Sequence, residues 1–597
     1  MNRDQAETKL RALFGFQRFY DEQWETIDRI FKGERILLIQ KTGFGKSLTY
    51  QFPATQMEGV TVIFSPLIAL MRDQVQALTK KGIYASYVNS EQEPEENSRV
   101  LQEAISGKIK VLYIAPERQE NEEWQEAVRK MKLAMVVIDE AHTISQWGHD
   151  FRPAFRRIVN LVNILPQEFP VLATTATATK RVQTDIEKQI GRDVVTIRGE
   201  LLRENFELYV IKTRSEDEKM IWLAKHLPNI EGSGIIYTGT RVKTELYSRW
   251  LEKLNISATS YNAGLDGESR QEVERGLMGN RWKAVISTNA LGMGIDKPDI
   301  RFIIHTQITQ SPIHYYQEIG RAGRDGKRTK IILFYNDTKD IDGVTEDLKL
   351  PSSFINGGRP PESIYLKVIE TLKIEPMGFK QLAMAANIKL SQVRTIKADL
   401  IDQGIVKEVK YAGSKKLEYQ YNAPDLNTRP FRELRKAKMD ELKAMRDYVH
   451  MKGSRMKFLC DFLGDKNPRI HTNCDNTNLI PLKVEPSPAL ESKLRRFREN
   501  YFPVLDVELK STRMINGVAA SYYGVSQVGA VIHRCKYENG GDFPDFLLRS
   551  TLRAFHKKLG KINFDILLYV PPTESGDLVK NFANKLAGIL KIPLSHK

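Results

Sequence analysis

Gln40-Lys41-Thr42-Gly43-Phe44-Gly45-Lys46-Ser47 is the stretch on which the reading of this chain turns. The apolar run Ile36-Leu37-Leu38-Ile39 precedes it and predicts a buried strand, and the residues after Ser47 predict a helix that stops at Pro53. Strand, glycine-containing loop and helix start, in that order, make an anion site. Backbone N–H groups at a helix start point outward with the positive end of the helix dipole behind them. Gly43 and Gly45 let the backbone approach a phosphate, with Thr42 in the same cradle. Lys46 has the reach for β- and γ-phosphates, and Ser47 offers a hydroxyl to Mg2+. The pattern G-x-x-x-x-G-K-[ST] is met except at its first position, where Gln40 stands. The alternative is a glycine-rich turn with an incidental lysine, and the rest of the chain argues against it.

Apolar strands and helical stretches alternate after the loop. Strands are predicted at 61–65, 110–114, 134–138 and 171–173, with a helix at 68–79. This alternation implies an α/β fold with a parallel sheet covered on both faces, and with ligands at the carboxyl ends of the strands. Asp139-Glu140-Ala141-His142 falls at such an end. Asp139 can hold Mg2+ and Glu140 can polarise an attacking water, two of the parts phosphoryl transfer needs beside a phosphate cradle. A second unit of the same kind is expected from about residue 216, with strands at 234–237, 258–261, 284–287 and 302–305 and no phosphate loop of its own. It carries Gln317-Glu318-Ile319-Gly320-Arg321-Ala322-Gly323-Arg324-Asp325-Gly326. Arg321 and Arg324, three apart, share a helix face or a turn, and guanidinium groups facing a γ-phosphate act as arginine fingers. A cleft between the two units would then complete one site. Upstream, the amide of Gln23 can read an adenine edge. Between Asp139 and the next strand, Gln146, Trp147, Phe151 and Arg152 lie in a loop whose aromatics can stack on the bases of a single strand.

The chain has 597 residues, enough for several domains, and its 90 Lys+Arg against 74 Asp+Glu leave +16, which suits a polyanionic partner. Three cysteines make no disulfide framework. No signal-peptide core and no run of about 18 apolar residues is read, so a cytoplasmic, nucleoid-associated protein with no membrane contact is expected.

Together these motifs resemble a RecQ-family DNA helicase of superfamily 2. The resemblance rests on residues 40–47, 65–75, 139–142 running into 145–153, Ala176-Thr177, 292–298 and 315–326, all in the family's order. It implies two RecA-like parallel-sheet domains (1–210 and 211–349), ATP and Mg2+ as cofactors, and ATP-driven 3′-to-5′ translocation on single-stranded DNA with duplex unwinding. The implied partners are single-stranded and 3′-tailed or forked duplex DNA, with single-strand-binding or repair proteins as further candidates and repair or recombination as the setting. Gln23 matches the family's adenine-contacting glutamine, while Tyr20 stands where the family has arginine. Asp-Glu-Ala-His also occurs in RNA helicases, against which residues 145–153 argue. A DNA-binding scaffold with a vestigial ATPase is the other rival, against which Lys46, Glu140, Arg321 and Arg324 argue.

Further on, 350–361 reads as a linker. Helices at 364–372, 379–386 and 391–403, the last with Ser391 as N-cap, and strands at 405–409 and 417–421 around Gly413 resemble a winged-helix domain (359–425). A basic helix at 429–448 opens a helical region (429–482) resembling the family's zinc module. Its ligand positions hold Ser454, His471, Cys474 and Thr477, so folding without zinc is expected, on a core of Phe458, Leu459, Phe462 and Leu463 with Cys460 as a small hydrophobe. Residues 487–597 resemble the start of a phosphoribosyltransferase-like α/β segment, with a strand near 564–570 and a helix to Leu590; no diphosphate-binding loop follows in this sequence, and no catalysis is expected of it.

Overall fold

Seven strands, β1 (Arg35–Ile39), β2 (Val60–Phe64), β3 (Ala85–Val88), β4 (Val111–Ile114), β5 (Leu133–Ile138), β6 (Val171–Thr175) and β7 (Val195–Arg198), form one sheet in the order β3-β4-β2-β5-β6-β1-β7. Every pairing in it is parallel. Side chains alternate across a strand. Leu37, Ile39, Val62, Phe64, Val136 and Ile138 therefore enter one core, and Ile36, Leu38, Ile63, Met135 and Val137 enter the other. That double burial is why these strands read as unbroken apolar runs. The structure is a computed structural model and describes residues 1–145, 153–292, 295–339, 343–411, 413–465, 473–505, 515–521, 527–537, 542–571 and 576–595.

A second all-parallel sheet holds β8 (Phe206–Thr213), β9 (Ser233–Tyr237), β10 (Ala258–Tyr261), β11 (Ala284–Ser287), β12 (Ile300–His305) and β13 (Thr329–Asn336) in the order β10-β11-β9-β12-β13-β8. The fold is the expected pair of RecA-like sheets, with one boundary moved. The division at 210/211 falls inside β8, which pairs with β13 along its whole length, so the connection between the sheets is 199–205.

Two prolines expected to stop helices do not. The helix Leu48–Gln56 runs through Pro53, and Glu346–Gly357 runs through Pro351, so the linker expected at 350–361 is short and begins near Gly358. Each ring removes one backbone donor, a local loss outweighed where the helix is packed; Tyr50, Phe52 and Ala54 on the first helix, and Ile355 on the second, are buried.

Helices Glu362–Ile374, Phe379–Ala385 and Leu390–Asp402 pack with the hairpin β14 (Val406–Tyr411) and β15 (Ser414–Tyr419) on one core that includes Val393, Ile396 and Leu400. This is a winged-helix arrangement. The third helix is capped at Lys389, whose N–H donates to the Gln392 side chain, and not at Ser391. Arg359 and the Tyr365 hydroxyl both donate to Asp399, tying the start of the domain to that helix.

The region 429–482 is not a separate domain. Leu442, Met445, Tyr448, Met456, Leu459, Cys460, Leu463 and Cys474 belong to the core of the second sheet, with Phe458 and Phe462 packed at its margin. The long helix is Arg429–His450 and the short one Arg455–Phe462. Burial pushes the Cys460 thiol up to about 12, so it stays protonated inside that core. Ser454 caps the short helix by accepting the Lys457 N–H, and Cys474 Sγ lies 3.2 Å from the Thr477 hydroxyl. His471 lies outside the described residues. Among those described, no group of three or more His, Cys, Asp or Glu could hold a metal ion.

Residues Asn473 to Asp475 cover the middle of the open edge of β8. Leu208 N–H donates to Asn473 O, Asp475 N–H to Leu208 O, and Val210 N–H to Asp475 Oδ2. Asp475 is in turn gripped by Arg455, both side chains being nearly inaccessible, and Arg455 also donates to Tyr448 O. Exposed sheet edges pair promiscuously, and here the middle of this one is covered.

By itself, the unit Ser487–Lys597 contains helices Pro488–Asn500, Gln527–Tyr537, Asp545–Lys558 and Leu578–Leu590 with two small sheets. Leu567–Leu568 and Leu594–Ser595 pair in parallel around the last helix, so the strand expected at 564–570 is only two residues long. Among the described residues no helix is long and apolar enough to cross a membrane.

Removing one partner of a buried ion pair leaves an uncompensated charge, at about 3–5 kcal/mol. Asp475→Ala is accordingly expected to lower unfolding stability by about that amount, read from denaturant midpoints monitored on the second domain; an unchanged midpoint would show that the Arg455–Asp475 pair holds nothing.

Candidate active site

The phosphate loop bends because Gly43 and Gly45 take left-handed backbone conformations, φ 81° and 86°. Gln40, at the position where the motif expects glycine, is buried, and its N–H donates to Thr175 O at 3.0 Å. Its side chain fills space left by Gly199 on the neighbouring strand end: a Cβ there would stand 1.7 Å from Gln40 Nε2. The missing glycine of the motif is thus compensated by one just past the end of β7. Lys46 Nζ donates to the carbonyls of Gln40 and Lys41 at 3.0 and 3.3 Å. Burial lowers the Lys46 pKa, opposed by the carboxylates of Glu140 and Asp139.

β5 delivers Asp139 beside this loop. Asp139 Oδ1 accepts from the Thr174 hydroxyl at 2.7 Å and from Glu140 N–H at 3.1 Å. Burial and the adjoining Glu140 carboxylate hold Asp139 above the usual carboxylate range. Burial acts on Glu140 in the same sense but is outweighed by the hydrogen bond and charge of His142, then by Lys46 and Arg321, so Glu140 stays below that range. Two adjacent carboxylates are thereby pushed apart. His142, fully buried, lies 3.3 Å from Glu140 Oε2 and 3.1 Å from the Thr175 hydroxyl. The oxygen donors Ser47 and Asp139 are the type Mg2+ prefers, so the residues present fit that ion.

The second sheet supplies the facing wall. Helix Pro312–Ile319 ends at Gly320, and Arg321 and Arg324 follow in a turn. The Thr42 hydroxyl donates to Gly320 O at 2.7 Å, joining loop and turn directly. Arg324 lies over Gly43, where a Cβ would stand 3.5 Å from its Cγ, and its guanidinium also donates to Asp296. Arg321 is 7% exposed. Nε of Arg321 and Nε of Arg324 are buried with no hydrogen bond among the described residues. Lys46, Ser47, Asp139, Glu140, Arg321 and Arg324 therefore converge, as the spacing along the chain implies but cannot place.

Gln23 sits against the phosphate loop. Its Oε1 accepts Tyr20 N–H and its Nε2 donates to Phe44 O at 3.0 Å, so the amide braces the helix start and the loop. One N–H and one lone pair of the amide remain for an adenine edge. Tyr20 stacks on Phe44 at 5.5 Å. Gln146, Trp147, Phe151 and Arg152 lie outside the described residues. Sequence reading missed Thr174, Thr175, His142 and Gly199. Two hydroxyls ending the strand beside the acidic one were a usable signal; nothing in sequence marks Gly199.

Residues 20–186 match a family profile described as DEAD/DEAH box helicase, and 218–326 match one described as helicase conserved C-terminal domain. The chain is 39% identical over 328 residues to the ATP-dependent DNA helicase RecQ of Pasteurella multocida, covering 55% of this chain and 51% of that protein. Over these residues the chain is similar to RecQ helicases. It is likewise 38% identical to the RecQ of Bacillus subtilis, covering 55% and 56%, and 37% identical to the probable ATP-dependent DNA helicase RecS of that organism, covering 54% and 65%. The chain spans about half to two thirds of the length of these curated relatives. Among solved structures, the DUF1998 helicase MrfA bound to DNA gives a TM-score of 0.49 at 20% identity, covering 70% of this chain and 59% of that one. The matched stretches carry all the converging residues named above except Gly199.

Gly199→Ala would force a Cβ into the Gln40 amide. Overpacking of this kind costs about 1–3 kcal/mol, and here the strain falls on the phosphate loop. A lower melting temperature and a raised KM for ATP are expected together; wild-type values for both would remove Gly199 from the site's construction.

Proposed function

We propose that this chain is an ATP-dependent DNA helicase that hydrolyses ATP between its two RecA-like domains and moves 3′-to-5′ along single-stranded DNA. The observation that carries the reading is the junction of loop and turn, where the Thr42 hydroxyl meets Gly320 O with Arg324 lying over Gly43. In it Lys46 follows the γ-phosphate and Ser47 and Asp139 hold Mg2+, which neutralises charge on the phosphate oxygens when bound. Glu140, kept ionised by its basic neighbours, orients the attacking water. Arg321 and Arg324 meet the charge that develops on the transferred group, a contribution of ~10³ to 10⁵ in related chemistry. Because these arginines belong to the second domain, loss of the γ-phosphate changes what holds the domains together, which is the mechanical output a translocase needs.

The named relatives act on DNA, the chain's charge of +16 suits a nucleic-acid backbone, and the winged helix adds a module of a kind that docks on duplexes. Trp147 and Phe151 are proposed to stack on bases of the tracked strand, with Gln146 and Arg152 beside them. Partners are proposed to be single-stranded, 3′-tailed and forked DNA.

Lys46→Ala is expected to bring ATP turnover to background while DNA binding persists, as read by phosphate release and by fluorescence anisotropy on a labelled single strand. Unwinding should occur on 3′-tailed and forked duplexes and fail on 5′-tailed ones. Turnover stimulated by RNA in preference to DNA would move the reading to an RNA helicase, and a wild type without turnover would leave only a DNA-binding scaffold.

A further inference from the structure

The connection between the two sheets, 199–205, is threaded between the phosphate loop and the arginine turn. Lys41 Nζ, from the loop, donates to Leu202 O at 3.1 Å, and the Tyr316 hydroxyl, from the helix that leads into the turn, donates to Leu201 O at 2.5 Å. Directly after these two anchors stands Arg203, only 6% exposed. Its Nη1 donates to Thr42 O, to Thr42 Oγ1 and to Gly320 O at 3.3, 3.2 and 3.2 Å. Its Nη2 donates to Ala322 O at 2.7 Å and Gly323 O at 3.3 Å. The guanidinium carbon lies 4.5 Å from the centre of the Phe206 ring. Among the described residues no carboxylate pairs with Arg203; burial, which lowers its pKa, is the largest influence on it.

A buried cation without a counter-ion is costly to keep, and a merely structural arginine here would be better served by an acid. What this one has instead is a set of carbonyls from two domains, all on the two segments that carry the chemistry. The planar fork matters: Nη1 bridges the loop and the turn while Nη2 holds the turn alone, a geometry that an ammonium on a flexible stem does not reproduce. Gly320 admits the approach, since a Cβ there would stand 2.5 Å from Thr42 Oγ1. Arg203 touches no position where substrate would sit, because its donors are spent on main-chain oxygens and one threonine hydroxyl.

We propose that Arg203 is a positioning residue of the ATPase: it fixes the turn carrying Arg321 and Arg324 against the phosphate loop, and so sets the rate of turnover without setting the affinity for nucleotide. The proposal rests on the ATPase reading above. Because the guanidinium sits in the interdomain connection itself, the same contacts relay the state of the cleft to the hinge.

The test is ATP hydrolysis by the full chain at saturating single-stranded DNA, comparing wild type, Arg203→Gln, Arg324→Ala and the double variant, with binding of a fluorescent ATP analogue measured for each. Misplacing a catalytic group by about an ångström costs on the order of 10²-fold, so Arg203→Gln should lose kcat by about that factor with analogue affinity near wild type. On the Arg324→Ala background the same substitution should cost less than it does alone, since one of the two groups it positions is already gone. Arg203→Lys, which keeps the charge but not the fork, should fall between Gln and wild type, and it decides the matter by the same comparison if Arg203→Gln loses analogue binding through misfolding. A kcat for Arg203→Gln within about twofold of wild type, or losses that simply multiply in the double variant, would overturn the positioning role. A wild type that does not turn over at all would instead sink the ATPase reading on which the role depends.

Discussion

Parallel strands all end on the same side of a sheet, and from that polarity the rest of the structure follows. In the first sheet the phosphate loop, Asp139-Glu140 and Thr174-Thr175 leave the carboxyl ends of β1, β5 and β6, three adjacent strands. In the second sheet the helix after β12 runs back towards the start of β13, so the arginine turn arrives at the opposite pole, where Gly323 N–H donates to Ile300 O at the beginning of β12. The carboxyl pole of one sheet therefore meets the amino pole of the other. Neither pole is a complete site. One has the cradle and the acids, and the other has the arginines proposed to meet charge on a transferred phosphoryl group.

How much of this could be read from residues alone depends on burial. Strands buried on both faces announce themselves as apolar runs, and β1, β2, β4, β5, β9 and β11 fall where such runs predict. The strands that carry less signal are edges: β3 and β7 are only half-buried, and β8 interleaves exposed positions such as Lys212 among apolar ones. β13 is different: its run Ile331-Ile332-Leu333-Phe334 was a usable signal that the sequence reading left out. Proline misleads where packing dominates, at Pro53 and Pro351. The loop, the acidic pair and the arginines were legible because phosphate chemistry needs particular residue types at particular spacings. Arg203 and Gly199 were not, since their importance lies in partners more than a hundred residues away in sequence, Gly320 for the one and Gln40 for the other.

The region resembling a zinc module shows the same dependence on tertiary context. At the positions where a tetrahedral site would want thiolates or imidazoles, Ser454 caps a helix and Thr477 hydrogen-bonds Cys474. The segment is held by pairing with β8, by the buried grip of Arg455 on Asp475, and by a shared apolar core. It also reaches the interdomain connection: Arg198 donates to Leu463 O, and Leu201 N–H donates to Asp465. The connection is thus braced by this region on one side and by the nucleotide cleft on the other, so its conformation is set jointly.

Glu140 has a backbone φ of 52° and ψ of 48°, left-handed for a residue with a long side chain. Such a conformation costs of order 1–3 kcal/mol and persists only where its surroundings impose it, and here the chain must turn at once after β5 to bring the carboxylate within range of Lys46 and Arg321. The acid proposed to orient water is therefore also a point of stored tension in the fold. Asparagine tolerates this backbone region better, so relief of the tension and loss of the carboxylate would arrive in one substitution. At this position durability and catalysis compete, and a search for more heat-resistant variants would tend to select inert ones.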